Sequence, residues 1–117
     1  MNFDSAVQEL LDRCPGARGA SIVDPDGIAV TVIPRGKNID GLGAELATIV
    51  RGVDEAGREF NHGPLEQFSV FTEESVVILT TMAAGYFLLL VMERGAIVGK
   101  GRFFSRLIRE QLYSEFI

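Results

Sequence analysis

The sequence lacks tryptophan and has one cysteine and one histidine among its 117 residues. The single Cys14 excludes an internal disulfide, so we expect a reducing compartment. His62 lies in a loop flanked by glycine and proline, with no serine or cysteine partner nearby in sequence, so we expect no catalytic role for it. The longest apolar run, at positions 86–92, is too short to span a bilayer. These absences argue against an enzyme and against membrane insertion.

Positive charge is also scarce, because the formal net charge is −5. Nucleic acid is therefore not expected as the main partner, since phosphate binding needs a cationic field. The N-terminus carries Asp4, Glu9 and Asp12 within a periodic pattern, which is not typical of a signal peptide. The length suits one domain, residues 1–117, with about 65% of the unfolded surface buried on folding. We expect a soluble cytoplasmic domain.

What is present is a clear order of elements. Apolar residues recur every three or four positions from 2 to 13, which predicts a helix that ends at Pro15-Gly16. Residues 18–24 and 27–33 read as two strands joined by a tight turn at 24–27. A loop then leads to a long amphipathic helix that starts at Ile39 or Asp40 and ends at Asn61.

The long helix has three predicted faces. The larger apolar residues form one arc, which we expect to lie on a sheet: Leu42, Leu46, Ile49, Val53, Ala56 and Phe60. A second arc is mostly small, which favours close approach of another helix: Gly43, Ala47, Val50, Asp54 and Gly57. The third arc is polar and solvated.

Three strands are predicted after the long helix, at 65–72, 75–82 and 86–92, and short links between them favour antiparallel pairing. The fifth strand is apolar at every position, which is typical of a strand covered on both faces. The third strand is mixed in character and suits an edge, where a second copy could pair. A final helix is predicted at 99–116.

Several motifs resemble sites but are incomplete. The segment 95–101 has three residues between its glycines and Gly101 after Lys100, whereas a phosphate-binding loop needs four residues and then serine or threonine. Asp24 and Asp26 lack the further ligands of a calcium loop. Arg102, Arg106 and Arg109 line one face of the last helix and are interpreted as a solvated face, with an anionic partner as the alternative. We therefore expect no catalytic residue, cofactor or metal.

The order of elements resembles the Roadblock family of small dimeric domains, which includes dynein light chains and MglB-type regulators of bacterial Ras-like GTPases. The resemblance spans essentially the whole chain. It rests on segment 16–24, the Asp26-Gly27 turn, the Leu42 and Leu46 stripe, and segment 96–100. It implies an α+β fold, α-β-β-α-β-β-β-α, with an antiparallel sheet of order 2-1-5-4-3. The long helix then covers one face and the terminal helices the other, which is profilin-like layering.

The resemblance also implies a homodimer joined through strand three and the long helix. The interface residues expected from it are Gly43, Ala47, Val50, Asp54, Gly57, Phe68 and Val70. The implied partner is a Ras-like small GTPase of the MglA type. The polar face of the long helix has two interpretations, a solvated surface or a partner-binding platform at Glu45, Thr48, Arg51, Glu55 and Arg58. The MglB type accelerates GTP hydrolysis without an arginine finger, so no catalytic role follows for either arginine.

Two other functions stay open at this level. One is a dimeric scaffold or adaptor with no effect on GTP hydrolysis. The other is a small-molecule sensor, although only Thr80 and Thr81 place polar groups within an apolar run. The sequence ends directly after the last predicted helix, without the C-terminal tail of some regulators, so an exchange-factor role is not expected.

Overall fold

The order of helices and strands is the one expected from the sequence. The computed structural model describes residues 2–116, apart from the side chain of Lys37. Its helices and strands are α1 (Phe3–Arg13), β1 (Ala17–Val23), β2 (Ala29–Ile33), α2 (Lys37–Glu59), β3 (Gln67–Phe71), β4 (Ser75–Thr81), β5 (Phe87–Glu93) and α3 (Val98–Leu112). Short 3-10 turns cover Ala83–Gly85 and Tyr113–Phe116.

The five strands form one antiparallel sheet of order β2-β1-β5-β4-β3, which confirms the expected topology. Central β5 is buried from Phe87 to Met92, because helices cover both of its faces. In the part of the chain that the structure describes, β3 pairs only with β4, so it is the edge strand that its mixed composition predicted.

Element ends differ from the predictions by at most four residues, and some, such as the end of α1 at Arg13, agree. The turn before β2 extends to Ile28, because the Asp24 carboxylate accepts hydrogen bonds from the amides of Asp26 and Ile28. Strand β3 starts at Gln67 rather than 65, and α2 starts at Lys37. Helix α3 ends at Leu112, where the chain tightens into the 3-10 turn.

One face of the sheet is covered by α1 and α3. Their fully buried residues pack against alternate positions of the strands, and the cluster includes Val7, Leu10, Ile22, Ile78, Leu88, Leu90, Met92, Ile108 and Leu112. Gly101 allows α3 to approach closely, since a Cβ there would lie 2.5 Å from Met92 Sδ and 2.7 Å from Ile78 Cδ1. This face holds the larger core.

The other face of the sheet is covered by α2, and here the predicted orientation of the helix is wrong. The small arc faces the sheet, with Gly43, Ala47 and Val50 buried within their own chain. The physical reason is close approach, because a Cβ on Gly43 would already lie 3.0 Å from Val23 Cγ2. These three residues are therefore not exposed for the expected helix pair between subunits.

The other two small-arc residues face the segment after the helix. The Asp54 carboxylate accepts the amide hydrogen of Leu65 at 2.8 Å. A Cβ on Gly57 would lie 3.0 Å from the carbonyl oxygen of Gly63. Both residues are half-buried, so the small arc as a whole packs the helix onto its own chain.

Candidate functional site

The larger apolar side chains of α2 form an unusual exposed surface. Because the small arc faces the sheet, these larger side chains lie on one side of the helix. We name five of them the apolar strip: Leu42, Leu46, Ile49, Val53 and Phe60. The exposed fractions of Ile49, Val53 and Phe60 are 50%, 40% and 69%, while the two leucines are half-buried. Apolar residues aligned in this way on one helix indicate an association surface.

Edge strand β3 adds apolar residues to the same layer of the molecule. Phe68 and Val70 are half-buried and pack with the α2-side core, as do Leu42 and Leu46. Within residues 2–116, the outer edge of β3 has no strand beside it. The predicted interface residues Phe68 and Val70 therefore lie on an open edge strand, on the face of the sheet that α2 covers, and their role between subunits stays a prediction.

Hydrogen bonds to α3 fix the opposite face of β3. Arg106 donates to Gln67 Oε1 at 3.1 Å, and Arg102 donates to Ser69 Oγ at 3.2 Å. Gln67 in turn donates to the Arg102 carbonyl oxygen at 3.1 Å. Two arginines of the predicted stripe therefore hold the edge strand, which differs from the interpretation of the stripe as merely solvated.

The polar face of α2 is exposed at every position predicted to bind a partner: Glu45, Thr48, Arg51, Glu55 and Arg58. Arg51 donates to the Pro25 carbonyl oxygen at 2.9 Å, and Arg58 forms an ion pair with Asp54 at 3.0 Å. The hydrogen bond from the Leu65 amide holds the pKa of Asp54 below its usual value. Burial opposes this shift in part, and the hydrogen bond and charge of Arg58 add to it. This face is accessible and carries both signs of charge.

A cavity of about 340 Å³ opens where the C-terminal half of α2 meets the end of the chain. We name it the terminal cavity. Three arginines line it, Arg51, Arg58 and Arg109, together with three aromatic residues, Tyr86, Tyr113 and Phe116. Its remaining wall comes from Val50 and Asp54 of α2, from Pro64 and Leu65, and from the turn between β4 and β5.

Sequence reasoning did not find the terminal cavity. Its walls come from α2, the β4–β5 turn and the final 3-10 turn, which are far apart in the chain. No spacing of residues within one element could have indicated it. The arginine stripe of the last helix was the one sequence feature that pointed toward this region, because its last member, Arg109, lines the cavity.

The other candidate residues lie apart from these surfaces. His62 is exposed and donates its amide to the Gly57 carbonyl oxygen. Cys14 is buried, and burial raises the pKa of its thiol although Lys100 partly opposes the shift. Over residues 2–116 the structure contains no group of three or more histidine, cysteine or carboxylate side chains that could hold a metal ion. In the same range, every helix is too short or too polar to cross a bilayer.

Solved structures with the same fold support the architecture. The Roadblock/LC7 domain from Streptomyces avermitilis has a TM-score of 0.88 at 18% identity, with 98% of each chain covered. The gliding protein MglB from Thermus thermophilus has a TM-score of 0.82 at 18% identity, covering 96% of this chain and 86% of that one. Profilin II from Acanthamoeba castellanii has a TM-score of 0.66 at 16% identity, over 99% of this chain and 100% of that one.

At these identities the structures show the fold, and the profilin similarity confirms the expected layering. No protein of curated function matches the sequence significantly. The family model for the Roadblock/LC7 domain, however, matches residues 3–92, which is more than three quarters of the chain. The chain therefore belongs to the Roadblock/LC7 domain family.

Proposed function

We propose that this protein is a non-catalytic, cytoplasmic homodimer that regulates or presents a binding platform to a Ras-like small GTPase of the MglA type. The observation that carries the proposal is the exposed apolar strip of α2, on the same face of the sheet as the apolar residues of open edge strand β3, in a Roadblock/LC7 domain. Roadblock/LC7 domains are in general regulatory or adaptor modules. The similarity to MglB favours the regulator over a purely structural role.

The dimer is argued from surface that the single chain leaves uncovered. A water-exposed strip containing Ile49, Val53 and Phe60 gains free energy when a second copy covers it, at roughly 25 cal/mol per Å² of apolar surface. Strand β3 offers unpaired backbone groups, and its Phe68 and Val70 lie on the face of the sheet that α2 covers, so strand pairing and helix packing can both contribute. We therefore move the proposed helix contact from the small arc to the apolar strip and keep Phe68 and Val70.

The partner face is argued from what such a dimer leaves accessible. Glu45, Arg51 and Arg58 belong to the polar arc, which is distinct from the apolar strip around the helix. Charged side chains on an exposed helix suit reversible recognition, because they set specificity and the rate of association more than affinity. The polar face is thus our proposed GTPase contact.

The dimer is tested by Val53→Glu, which places a charge within the apolar strip. Light scattering should give about 25 kDa for the wild type, twice the 12.7 kDa of one chain, and about 13 kDa for the variant. Thr48→Glu, on the polar face of the same helix, adds the same charge and should stay dimeric. A monomeric wild type, or a dimeric Val53→Glu, would contradict the proposed interface.

The GTPase contact is tested in two steps. The tagged protein is incubated with lysate of its own cells and a non-hydrolysable GTP analogue or GDP, and captured partners are identified by mass spectrometry. A Ras-like GTPase recovered this way is purified, and its binding is measured by calorimetry. Arg51→Glu with Arg58→Glu should weaken binding at least about tenfold while the dimer persists, whereas Arg94→Glu should not. Unaltered binding would remove the polar face from the proposal.

Hydrolysis rates separate the regulator from the scaffold. If the captured GTPase hydrolyses GTP faster when this protein is added, the regulator is supported. An unchanged rate, with binding intact, would instead favour the adaptor or scaffold function.

A further inference from the structure

The terminal cavity is a second surface that the proposed function does not use as a whole. Its volume of about 340 Å³ falls within the range of small-molecule sites in proteins. Arg109, Tyr113 and Phe116 on one wall lie outside the proposed partner face. The cavity therefore calls for its own explanation.

The charge of the cavity is opposite to that of the protein. The chain carries a net charge of −5, yet among the described residues that line this space three arginines outnumber one aspartate, an excess of two positive charges. Asp54 is already satisfied by Arg58 and by the Leu65 amide. This excess of positive charge in the described lining favours an anion, and arginine binds carboxylate and phosphate particularly well.

The arginines retain donors for such an anion. A guanidinium carries five N–H groups, of which Arg51 uses Nη1 to reach the Pro25 carbonyl oxygen. Arg58 uses Nε toward Asp54. Because these bonds hold the two side chains in place while other N–H groups are left over, part of the ordering cost of binding is already met.

Aromatic rings supply the other half of the site. Tyr86 and Phe116 line the cavity and contact each other edge to face, with centroids 5.0 Å apart. Phe3 stacks on Phe116 at 5.6 Å from the side of α1, so the pair is held by a third ring. Tyr113, exposed by 57%, adds a further ring to the wall. Such a wall favours a flat, partly apolar ligand.

We propose that the terminal cavity binds a small organic anion that combines a planar ring with a phosphate or carboxylate group. The ring packs on the aromatic wall, and the anionic group is bound by the arginines. A phosphate monoester carries close to two negative charges at pH 7, which matches the excess positive charge of the cavity. This inference does not depend on the dimer or on a GTPase partner.

The experiment is a titration of the isotopically labelled protein followed by NMR. Adenosine monophosphate and benzoate serve as the phosphate-bearing and carboxylate-bearing probes. Adenosine supplies a ring without charge, and inorganic phosphate supplies charge without a ring. At least one ring-bearing anion should shift the amides of residues 81–86, 109 and 113 saturably, with an affinity at least about tenfold above adenosine and phosphate. Whichever of adenosine monophosphate and benzoate binds more tightly shows whether the cavity prefers phosphate or carboxylate.

Two variants test whether the best probe binds within the terminal cavity. Arg109→Gln should weaken the best probe about tenfold, because one charge-assisted hydrogen bond is lost. Tyr113→Ala removes an exposed ring and should weaken it several-fold. Arg35→Gln, in an exposed loop outside the cavity, removes the same charge and should leave affinity unchanged.

Each remaining outcome overturns the inference. If no probe saturates, the cavity is not a site for this class of ligand. If inorganic phosphate binds as well as the ring-bearing anions, the aromatic wall plays no part. If Arg35→Gln weakens binding as much as Arg109→Gln, the effect is one of overall charge. Failure here leaves the light-scattering and GTPase tests unaffected, since they measure different complexes.

Discussion

The two faces of the sheet are built differently. Under α1 and α3, large side chains such as Leu10, Leu90 and Ile108 are no more than 1% exposed. Under α2, small residues contact the sheet, while Ile49 and Phe60 remain at least half-exposed on the side of the helix. The first face is a closed hydrophobic core, whereas the second leaves large apolar side chains of its helix exposed to solvent.

The difference follows from how each face is covered. Two helices span one face, and Gly101 lets α3 approach closely enough to bury its neighbours. A single helix lies on the other face, and small residues at Gly43 and Ala47 bring it close to β1. Because small residues of α2 contact the sheet, its larger apolar residues lie on the side of the helix. The spacing of small and large residues along α2 therefore accounts both for its close packing on the sheet and for the exposed apolar strip.

The largest effect that separates the two faces should come from Leu90→Ala compared with Ile49→Ala. Leu90 is fully buried in β5, so its truncation should lower the free energy of unfolding by about 2–5 kcal/mol. Ile49→Ala should cost the single chain less than about 0.5 kcal/mol, because the side chain is half-exposed and alanine favours a helix. Urea denaturation measures both.

Protein concentration adds a control to this pair of variants. If the apolar strip is a dimer contact, any loss caused by Ile49→Ala should grow with protein concentration, whereas the loss from Leu90→Ala should be nearly constant. Equal losses for the two variants at all concentrations would remove the contrast between the faces.

A smaller effect is expected from Gln67→Ala, which links the closed face to the open edge. Gln67 donates to Thr80 Oγ1 at 3.0 Å and accepts from Arg106 at 3.1 Å. Thr80 is fully buried, so losing this partner should cost about 1–2 kcal/mol. Hydrogen exchange should accelerate in β3 more than in β5. Glu66→Ala, one residue earlier and exposed, is the matched control, and similar exchange in both variants would argue that Gln67 does not hold the edge strand.

The fold could be predicted largely from local patterns. The continuous apolar run of β5 and the mixed composition of β3 indicated centre and edge, and both positions are confirmed. The orientation of α2 could not be predicted in the same way, because the periodicity of the sequence defines arcs on a helix but does not show which arc faces the sheet. Its outcome depended on the distance between Gly43 and Val23, which is a property of the packed structure.

The candidate site shows the same limit. Exposure of Arg51 and Arg58 followed from the polar arc, which is a local property of α2. Their meeting with Arg109 and Phe116 in one cavity required the chain to return from α3 to the end of the sheet. Contacts of that kind depend on tertiary structure, so a single sequence without homologous sequences carries little signal for them.

The smallest expected effect concerns the hydrogen bond that ties α2 to the segment before β3. The pKa of Asp54 is lowered in the folded chain, first by the Leu65 amide and then by Arg58. A carboxyl with a lowered folded pKa stabilises the protein above its unfolded pKa of about 3.9, and this stability is lost as pH falls through the folded value.

Asp54→Asn keeps an oxygen that can accept from Leu65 but loses the charge. Its deficit against the wild type should be below about 1 kcal/mol at pH 7, begin to shrink below about pH 5, and keep shrinking as pH falls through the lowered folded pKa of Asp54. Urea denaturation at each pH measures the gap. Because the leading cause is a local hydrogen bond, about 1 M salt should reduce the gap only in part; a gap that salt abolishes would assign it to Arg58, and one that is constant from pH 7 to 3 would show that the Asp54 charge does not stabilise this junction.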